Sequence, residues 1–386
     1  MVDQAVKQTP HRLLGHGHVI DGVIAAAQLW PHASALFIME EVMEYYAGLD
    51  VSLKETAICV VDAKGTIVAE GAVPSDPESI LDWLGRQPFH ISRAGLEIGG
   101  VSRWLREGLR AGGLNAICID PRKLRALTKI MPIKTDRNDA RSIAAAMRVG
   151  WYSEVHIKSK PSQVMQMLLT NRKTLLDKQI DMDNVIRGTL RVFGIKVSGR
   201  ITHGSFESRV REALTAAPQL MDLIEPLLVA RTALREQFMV LHRQLIKAVR
   251  ADEACLRLMS IPGVGVLVAA TFRTVIDDPA RFRRSRDVGA HLGMTPRKYA
   301  SGETDRNGRI SKMGDASARA VLYQAGLAVL TRSQKWSKLR AWGINIAKRR
   351  GLRRAVCAVA RKIAVLMHSL WKNGSTYDFG KEARPA

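Results

Sequence analysis

The stretch YYAGLDVSLKETAICVVDAKGTIVAEGAV, residues 45–73, decides the fold of the first half of the chain. Three apolar runs follow one another within it, and each has the length of a β-strand. The Ala63–Gly65 segment between the second and third runs is a hairpin turn signal. The stretch therefore predicts three antiparallel strands in a meander.

The sequence after this meander alternates between helix and strand patterns. Predicted helices cover 75–87 and 101–113, predicted strands cover 91–100 and 114–120, and a further helix runs from Thr135 to Val149. Three strands in a meander followed by alternating helix and strand is the order of an RNase H-like α/β fold. We expect this domain to occupy residues 43–158.

Acidic residues lie at the predicted ends of these elements: Asp50, Glu97, Asp136 and Asp139. The first and fourth strands are neighbours in the expected fold, so Asp50 and Glu97 should meet at one edge of the sheet. Asp136 and Asp139 are three residues apart on a helix and share a face. Four carboxylates in one pocket repel one another unless divalent cations neutralise them, and oxygen ligands favour Mg²⁺ or Mn²⁺. A pair of such ions would serve phosphoryl transfer.

Each acid, taken singly, also fits an ordinary structural role. Asp50 could be a turn residue after a strand, and Glu97 could cap the chain before Gly99 and Gly100. Asp136 with Asn138 could simply begin a helix. Their joint occurrence in this fold order favours the metal-binding interpretation.

Composition narrows the class of partner. The chain has 386 residues, is 46% hydrophobic, and carries 59 Lys and Arg against 36 Asp and Glu, a formal net charge of +23. This balance favours a polyanion such as nucleic acid. A basic membrane-surface protein fits less well, and no apolar span of membrane length is present. The cysteines lack metal-site spacing, so we expect buried thiols in a reducing cytosol.

Four further regions lie outside the predicted α/β domain. Residues 1–42 show no clear period, and we interpret them as a leader, although an N-terminal arm packed on the protein is equally compatible with them. Residues 159–252 carry apolar residues at heptad spacing, which predicts an antiparallel helical hairpin or coiled coil, with an ordinary helical bundle as the alternative. Residues 253–374 form a mostly helical C-terminal domain, and 375–386 are a tail.

The C-terminal domain opens with SIPGVG at 260–265, which resembles a helix-hairpin-helix element. In such an element, backbone amides at a helix N-terminus bind a phosphate without reading bases. We therefore name Gly263 and Gly265 as candidate nucleic-acid-binding residues. A plain helix-capping turn is the alternative.

A serine in a basic segment is the second candidate catalytic feature. Ser301 is followed by Gly302, and a serine next to glycine can present its hydroxyl on an exposed turn. Cationic side chains surround it in sequence and could neutralise a phosphate: Arg297, Lys298, Arg306, Arg309 and Lys312. An ordinary polar turn is the alternative. A basic amphipathic helix is predicted from 344 to 374, with either nucleic acid or solvent at its KRRGLRR end.

These motifs, in this order, resemble the insertion-sequence 110/1111 family of DEDD transposases. The resemblance covers about Met43 to Trp371 and rests on GLDVSLKE, LEIGG, KTDRNDAR, IPGVG, the block LGMTPRKYASGETDRNGRISKMGD and the closing RRAVCAVARKIAVLMHSLW. It implies a RuvC-like RNase H-fold domain and a C-terminal transposase domain with a serine nucleophile.

The resemblance assigns roles by position. Asp50, Glu97, Asp136 and Asp139 would bind Mg²⁺, with Mn²⁺ as a possible substitute, and Ser301 would be the nucleophile. Many relatives have two serines before the glycine, whereas this chain has Ala300, so only Ser301 can serve. The product would be a 5′-phosphoserine link.

The resemblance also implies partners. These are donor and target DNA, a structured noncoding bridge RNA that selects them, and further copies of the chain in dimers and tetramers, with the two domains of different protomers completing one site. We expect a cytoplasmic, nucleoid-associated bacterial protein. Two other functions remain open: a Holliday-junction-type endonuclease that uses water as the nucleophile, and a noncatalytic nucleic-acid-binding protein.

Overall fold

A computed structural model describes residues 43–122, 124, 134–198, 202, 204–334 and 336–379. The predicted leader, residues 1–42, and the end of the predicted tail lie outside this range. The chain divides between Ile157 and Lys158 into two compact units, which are described separately below. The finer domain boundaries remain predictions.

The first unit is an α/β unit. Its strands and helices, in chain order, are β1 (Tyr45–Val51), β2 (Glu55–Val61), β3 (Ile67–Pro74), α1 (Pro77–Gly85), β4 (Ile91–Glu97), α2 (Ser102–Ala111), β5 (Ala116–Ile119) and α3 (Asp136–Val149).

The strands form one five-stranded sheet in the order β3-β2-β1-β4-β5. β1 pairs antiparallel with β2, and β2 pairs antiparallel with β3, whereas β4 runs parallel to β1 and to β5. The meander and the β1–β4 adjacency are as predicted from the sequence. This arrangement is consistent with a DEDD nuclease-like domain.

Side-chain alternation along the strands gives the sheet two apolar faces. Leu49 and Ile58 belong to the cluster that buries apolar residues of α1 and α2. Tyr46 and Cys59 belong to a second cluster, which buries apolar residues of α3. α3 therefore covers the face opposite to α1 and α2.

The second unit is mostly helical. Its helices and strands, in chain order, are α4 (Lys160–Val192), α5 (Phe206–Ala213), α6 (Met221–Ala251), α7 (Glu253–Met259), α8 (Val266–Ile276), α9 (Asp287–His291), β6 (Pro296–Ser301), β7 (Thr304–Ile310), α10 (Ala316–Thr331), α11 (Lys338–Arg350) and α12 (Leu352–Asn373). α5 is a short helix between the two long helices α4 and α6.

The long helices α4 and α6 pack antiparallel. Asp183 forms a buried ion pair with Arg231, and Arg172 Nε donates to Nδ1 of His242 at 3.2 Å, so later residues of α4 meet earlier residues of α6. The Arg231 guanidinium also lies 4.5 Å from the ring centroid of Phe206 in α5. The predicted helical hairpin is therefore observed, and the coiled-coil geometry remains a prediction.

The C-terminal part differs from the sequence prediction in two places. The predicted basic helix over 344–374 is two helices, because Gly351, at φ +80°, separates α11 from α12. The segment around Ser301, for which the sequence predicted an exposed turn and no strands, is a two-stranded hairpin of β6 and β7. Both departures occur where one glycine adopts a positive φ that other residues rarely adopt.

The structure also describes the cysteines and the apolar character of the helices. Cys59, Cys118 and Cys255 are buried, Cys357 is half-buried, and all four are free thiols. Within the described ranges, no helix combines the length and apolar character needed to cross a membrane.

Candidate active site

A row of residues across the sheet sets the position of α3. Gly48 pairs with Cys59 on one side and with Gly95 on the other, so these residues face α3 side by side. A Cβ at Gly48 would lie 2.1 Å from the carbonyl oxygen of Ala140, and a Cβ at Gly95 would lie 2.7 Å from the sulfur of Met147. The two glycines therefore allow α3 to lie directly on the strands.

Asp50 and Glu97 lie one step further along the same face of the sheet. Leu49 pairs with Leu96 in the parallel register, so the next residues, Asp50 and Glu97, are neighbours at the carboxyl ends of β1 and β4. The turn after β1 is held by Ser52, whose Oγ donates to the carbonyl oxygen of Glu55 at 2.8 Å. Asp50 is thus a strand residue and has no part in that turn.

The other two acids lie in the first turn of α3. The side chain of Thr135 caps this helix by accepting from the amide of Asn138 at 3.2 Å. Asp136 is therefore not the capping residue. Both Asp136 and Asp139 lie at the positive end of the helix dipole, where negative charge is stabilised.

The four carboxylates act on one another electrostatically. Burial, together with the negative charges of Asp139, Asp136 and Glu97 in that order, raises the pKa of Asp50 to about 6. Lys134 opposes this effect and lies 3.9 Å from Asp139. The negative charges of the other three acids thus all act on the carboxylate of Asp50.

The four carboxylates offer the kind of oxygen ligands that a hard divalent cation binds. Oxygen ligands with surplus negative charge are what Mg²⁺ and Mn²⁺ prefer. In the described ranges, however, no three His, Cys, Asp or Glu side chains are gathered closely enough to hold a metal ion. The negative charges of three of these carboxylates nevertheless act on Asp50.

Ser301 occupies the tip of the β6–β7 hairpin. It pairs with Thr304 across a two-residue loop, in which Gly302 has φ +50°. Ser301 is exposed, and its hydroxyl has no hydrogen-bond partner among the described residues. The hydroxyl of Ser301 is therefore accessible from solvent at the hairpin tip.

The five cations named around Ser301 are all exposed. Arg306 pairs across the hairpin with Tyr299, and its guanidinium lies 5.6 Å from the centroid of that ring. Lys298 Nζ lies 3.2 Å from a carboxylate oxygen of Asp305, and Arg297 donates to the carbonyl of Ser311 at 3.4 Å. Arg309 and Lys312 complete the group. Because Tyr299 and Ser301 alternate with Ala300, they point to the same face of the hairpin.

The glycines of SIPGVG have different surroundings. Gly263 has φ +80°, and a Cβ there would lie 2.6 Å from the carbonyl oxygen of Ala325 in α10. Gly263 therefore serves close packing. Gly265 precedes the first residue of α8, and a Cβ there would meet open space. Phosphate binding at this turn remains a prediction.

A further basic surface lies where α11 meets α12. Its members are exposed: Lys348, Arg349, Arg350, Arg353 and Arg354. Arg349 donates to the carbonyl oxygen of Asn345 at 3.3 Å, and no acidic partner is found for the five within the described part of the chain. The break at Gly351 brings the end of one helix and the start of the next together in this surface.

Sequence reasoning missed Glu70 of β3. Glu70 pairs with Cys59 and so extends the row of Gly48 and Gly95 to the edge strand. Its carboxylate binds Arg137 and Arg141 of α3. A single acid in the apolar strand IVAEGAVP, with two arginines four residues apart in a helix, was the available signal.

Replacing Gly48 by alanine is expected to destabilise the protein by about 3 kcal/mol, because the new Cβ would meet backbone atoms of α3, which cannot rotate away. Urea denaturation would measure this loss. Gly85→Ala is the matched control, because a Cβ at Gly85 would meet nothing within 4 Å. Equal stability of Gly48→Ala and wild type would contradict the close contact.

Two family models match this chain, and both describe transposases. Residues 47–194 match the DEDD transposase domain of the IS110 group, and residues 255–341 match the domain described as "Transposase IS116/IS110/IS902 family". Both matches are thus to transposases, one for each half of the chain. The chain belongs to the IS110 family of insertion-sequence transposases.

Individual relatives are similar along most of the chain. The transposase for insertion sequence element IS1111A of Coxiella burnetii is 28% identical over 347 residues, covering 86% of this chain and 91% of the relative. The transposase for IS1328 of Yersinia enterocolitica is 28% identical, covering 67% and 77%. A probable family 20 transposase of Pseudomonas aeruginosa is 28% identical, covering 72% and 83%.

Proposed function

We propose that this protein is a DNA transposase that joins donor and target DNA through a covalent link to Ser301, assisted by divalent cations at Asp50, Glu97, Asp136 and Asp139. The observation that carries the proposal is the convergence of these carboxylates on Asp50, although they come from three separate parts of the sequence. An RNase H-like assignment of the first unit accords with its strand order.

In the proposed reaction, Oγ of Ser301 attacks the phosphorus of a DNA phosphodiester. The new Oγ–P bond forms while the bond from phosphorus to the 3′-oxygen breaks. The serine loses its proton and the departing 3′-oxygen gains one, which leaves a 3′-hydroxyl and a 5′-phosphoserine. A 3′-hydroxyl of the partner strand then attacks the phosphoserine and releases Ser301. The covalent link conserves the phosphodiester, so no high-energy cofactor is needed.

The residues of the chain have separate tasks in this scheme. A divalent cation, when bound by the carboxylates, would neutralise charge on the phosphate and lower the cost of deprotonating the serine. The exposed cations of the hairpin would hold the phosphate near Ser301, with Arg306 kept in place by the ring of Tyr299. The reaction requires both residue sets to act on the same phosphodiester.

In this scheme, a structured bridge RNA selects the donor and target DNA sequences. The basic surface at Gly351 and the cations of the hairpin suit phosphate contacts, which carry no base information. The protein would then recognise backbone and shape, while pairing to the RNA selects donor and target. Dimers that assemble into tetramers, and association with the nucleoid, complete the proposal.

A water-using endonuclease is the second candidate. It is favoured by one observation: the hydroxyl of Ser301 has no partner in the described residues that could take its proton. Such an enzyme would leave hydrolysed ends and no link to protein.

The test is covalent capture with the wild-type protein, its flanking noncoding RNA, labelled donor and target DNA, and Mg²⁺. We expect a protein–DNA adduct on a denaturing gel, and peptide mapping should find the phosphate on Ser301. Cleaved DNA without any adduct would replace the proposal with the endonuclease. Binding without cleavage would leave a noncatalytic nucleic-acid-binding protein.

A further inference from the structure

The start of α3 carries two kinds of charge on two faces. Asp136 and Asp139 are three residues apart and share one face of the helix. Arg137 and Arg141 are four residues apart and share another face. At 3.6 residues per turn, the centres of these two faces are about 150° apart around the helix axis. Whatever holds the arginine face therefore also sets the direction of the two carboxylates.

Glu70 holds the arginine face. Arg141 donates to Glu70 through Nε at 2.6 Å and through Nη2 at 3.0 Å, a two-pronged contact. Arg137 donates to the same carboxylate through Nε at 2.9 Å, and its Nη2 is a further close partner. The carboxylate thus binds both arginines at once.

The surroundings of Glu70 keep it in this role. Its side chain is only 15% exposed, and the hydrogen bonds from Arg141 and then Arg137 lower its pKa to about 2. Glu70 is therefore ionised at every physiological pH. Its carboxylate is occupied by two guanidiniums and is not a free ligand of the neighbouring acids.

We propose that Glu70 is a positioning residue for the divalent-cation site: by binding Arg137 and Arg141 it holds the start of α3 on the edge strand, which directs Asp136 and Asp139 toward Asp50, and its negative charge offsets one of the two positive charges beside the carboxylates. This inference rests on the proposed function. It adds a fifth acid that acts through the helix and does not bind the metal itself.

Loss of Glu70 has two consequences in this scheme. The start of α3 loses its side-chain anchor on the edge strand, and two uncompensated positive charges remain within a few residues of Asp136 and Asp139. Both consequences weaken cation binding. The packing of α3 on Gly48 and Gly95 is unchanged, so the unit should stay folded.

The experiment is a titration of the full-length protein with Mn²⁺, followed by the electron paramagnetic resonance signal of the free ion and carried out without nucleic acid. Glu70→Gln should raise the Kd for Mn²⁺ by about 10-fold to 100-fold, as is usual for residues that support metal ligands. Thermal unfolding of the metal-free variants would verify that they are folded.

Two further variants make the result specific. Asp82→Asn removes one carboxylate from a surface pair with Arg86 and causes the same change in net charge, and its Kd should equal that of wild type. Glu70→Asp keeps the charge but shortens the side chain, so that it cannot reach both arginines. A raised Kd for Glu70→Asp supports positioning, and a wild-type Kd for it would overturn positioning in favour of a charge effect alone.

The outcomes separate this inference from the function on which it rests. Normal Mn²⁺ binding by both wild type and Glu70→Gln would overturn the role of Glu70 and leave the cation site standing. Absence of Mn²⁺ binding by wild type would overturn both. The assay uses no DNA, so the outcome for Ser301 in covalent capture is independent of it.

Discussion

Replacing Ser301 by alanine is expected to abolish the covalent protein–DNA product and to lower strand exchange by roughly 10³-fold or more, as removal of a nucleophile does in other enzymes. Alanine has no oxygen to attack phosphorus, and the preceding residue, Ala300, cannot replace it. Ser301 is exposed at the hairpin tip, so its replacement should not unfold the unit. The measurement is adduct yield and joined product in the capture reaction.

Thr304→Ala is the matched control for this prediction. Thr304 is the cross-strand partner of Ser301 and also carries an exposed hydroxyl, but it lies on the other side of the Gly302 turn. Its replacement should leave the adduct intact. If Ser301→Ala still cleaved DNA at the wild-type rate, the serine mechanism would be excluded and water would be the nucleophile.

The fold of the first unit could be predicted because its strands have local signals. The apolar runs around Leu49 and Ile58 and the turn at Gly65 predict β1, β2 and β3 without knowledge of distant contacts. Once the strand order is known, the position of Asp50 beside Glu97 follows from the parallel register of β1 and β4.

The hairpin around Ser301 could not be predicted from its pattern. All residues of β6 are exposed, as are all but the last of β7, so no alternation of apolar and polar residues marks either strand. Their pairing depends on the backbone and on the turn at Gly302. The break at Gly351 is hidden for a similar reason, since a glycine between good helix formers costs only about 1 kcal/mol and can continue a helix.

The single acid in an apolar strand marks Glu70 in the sequence, but its partners were not predictable because they are far away along the chain. It lies more than sixty residues from Arg137 and Arg141, and only the order of the strands brings them together. The same strand order places Glu70 in one row with Gly48 and Gly95. A local pattern can thus identify the four candidate acids, whereas the contact of Glu70 with α3 becomes visible only in the folded chain.

Replacing Asp50 by asparagine is expected to abolish DNA cleavage and joining and, in metal-free protein, to increase stability. The pKa of Asp50 is raised from 3.8 to about 6 in the folded protein, so the folded state binds the proton more tightly than the unfolded state. The free energy of unfolding of wild type therefore falls as the pH rises from 4 to 6, and the penalty is complete above pH 6. Asparagine carries no charge and avoids this penalty.

The stability gain should be about 3 kcal/mol at pH 7 and should vanish below pH 4, as urea denaturation at a series of pH values would show. Mg²⁺ should raise the unfolding temperature of wild type but not of Asp50→Asn, because a ligand stabilises only the state that binds it. Asp82→Asn, on the surface of α1, should respond to Mg²⁺ as wild type does. Asp50→Asn with lower stability than wild type at pH 7 would contradict the repulsion among the four acids, and hence the need for a cation to relieve it.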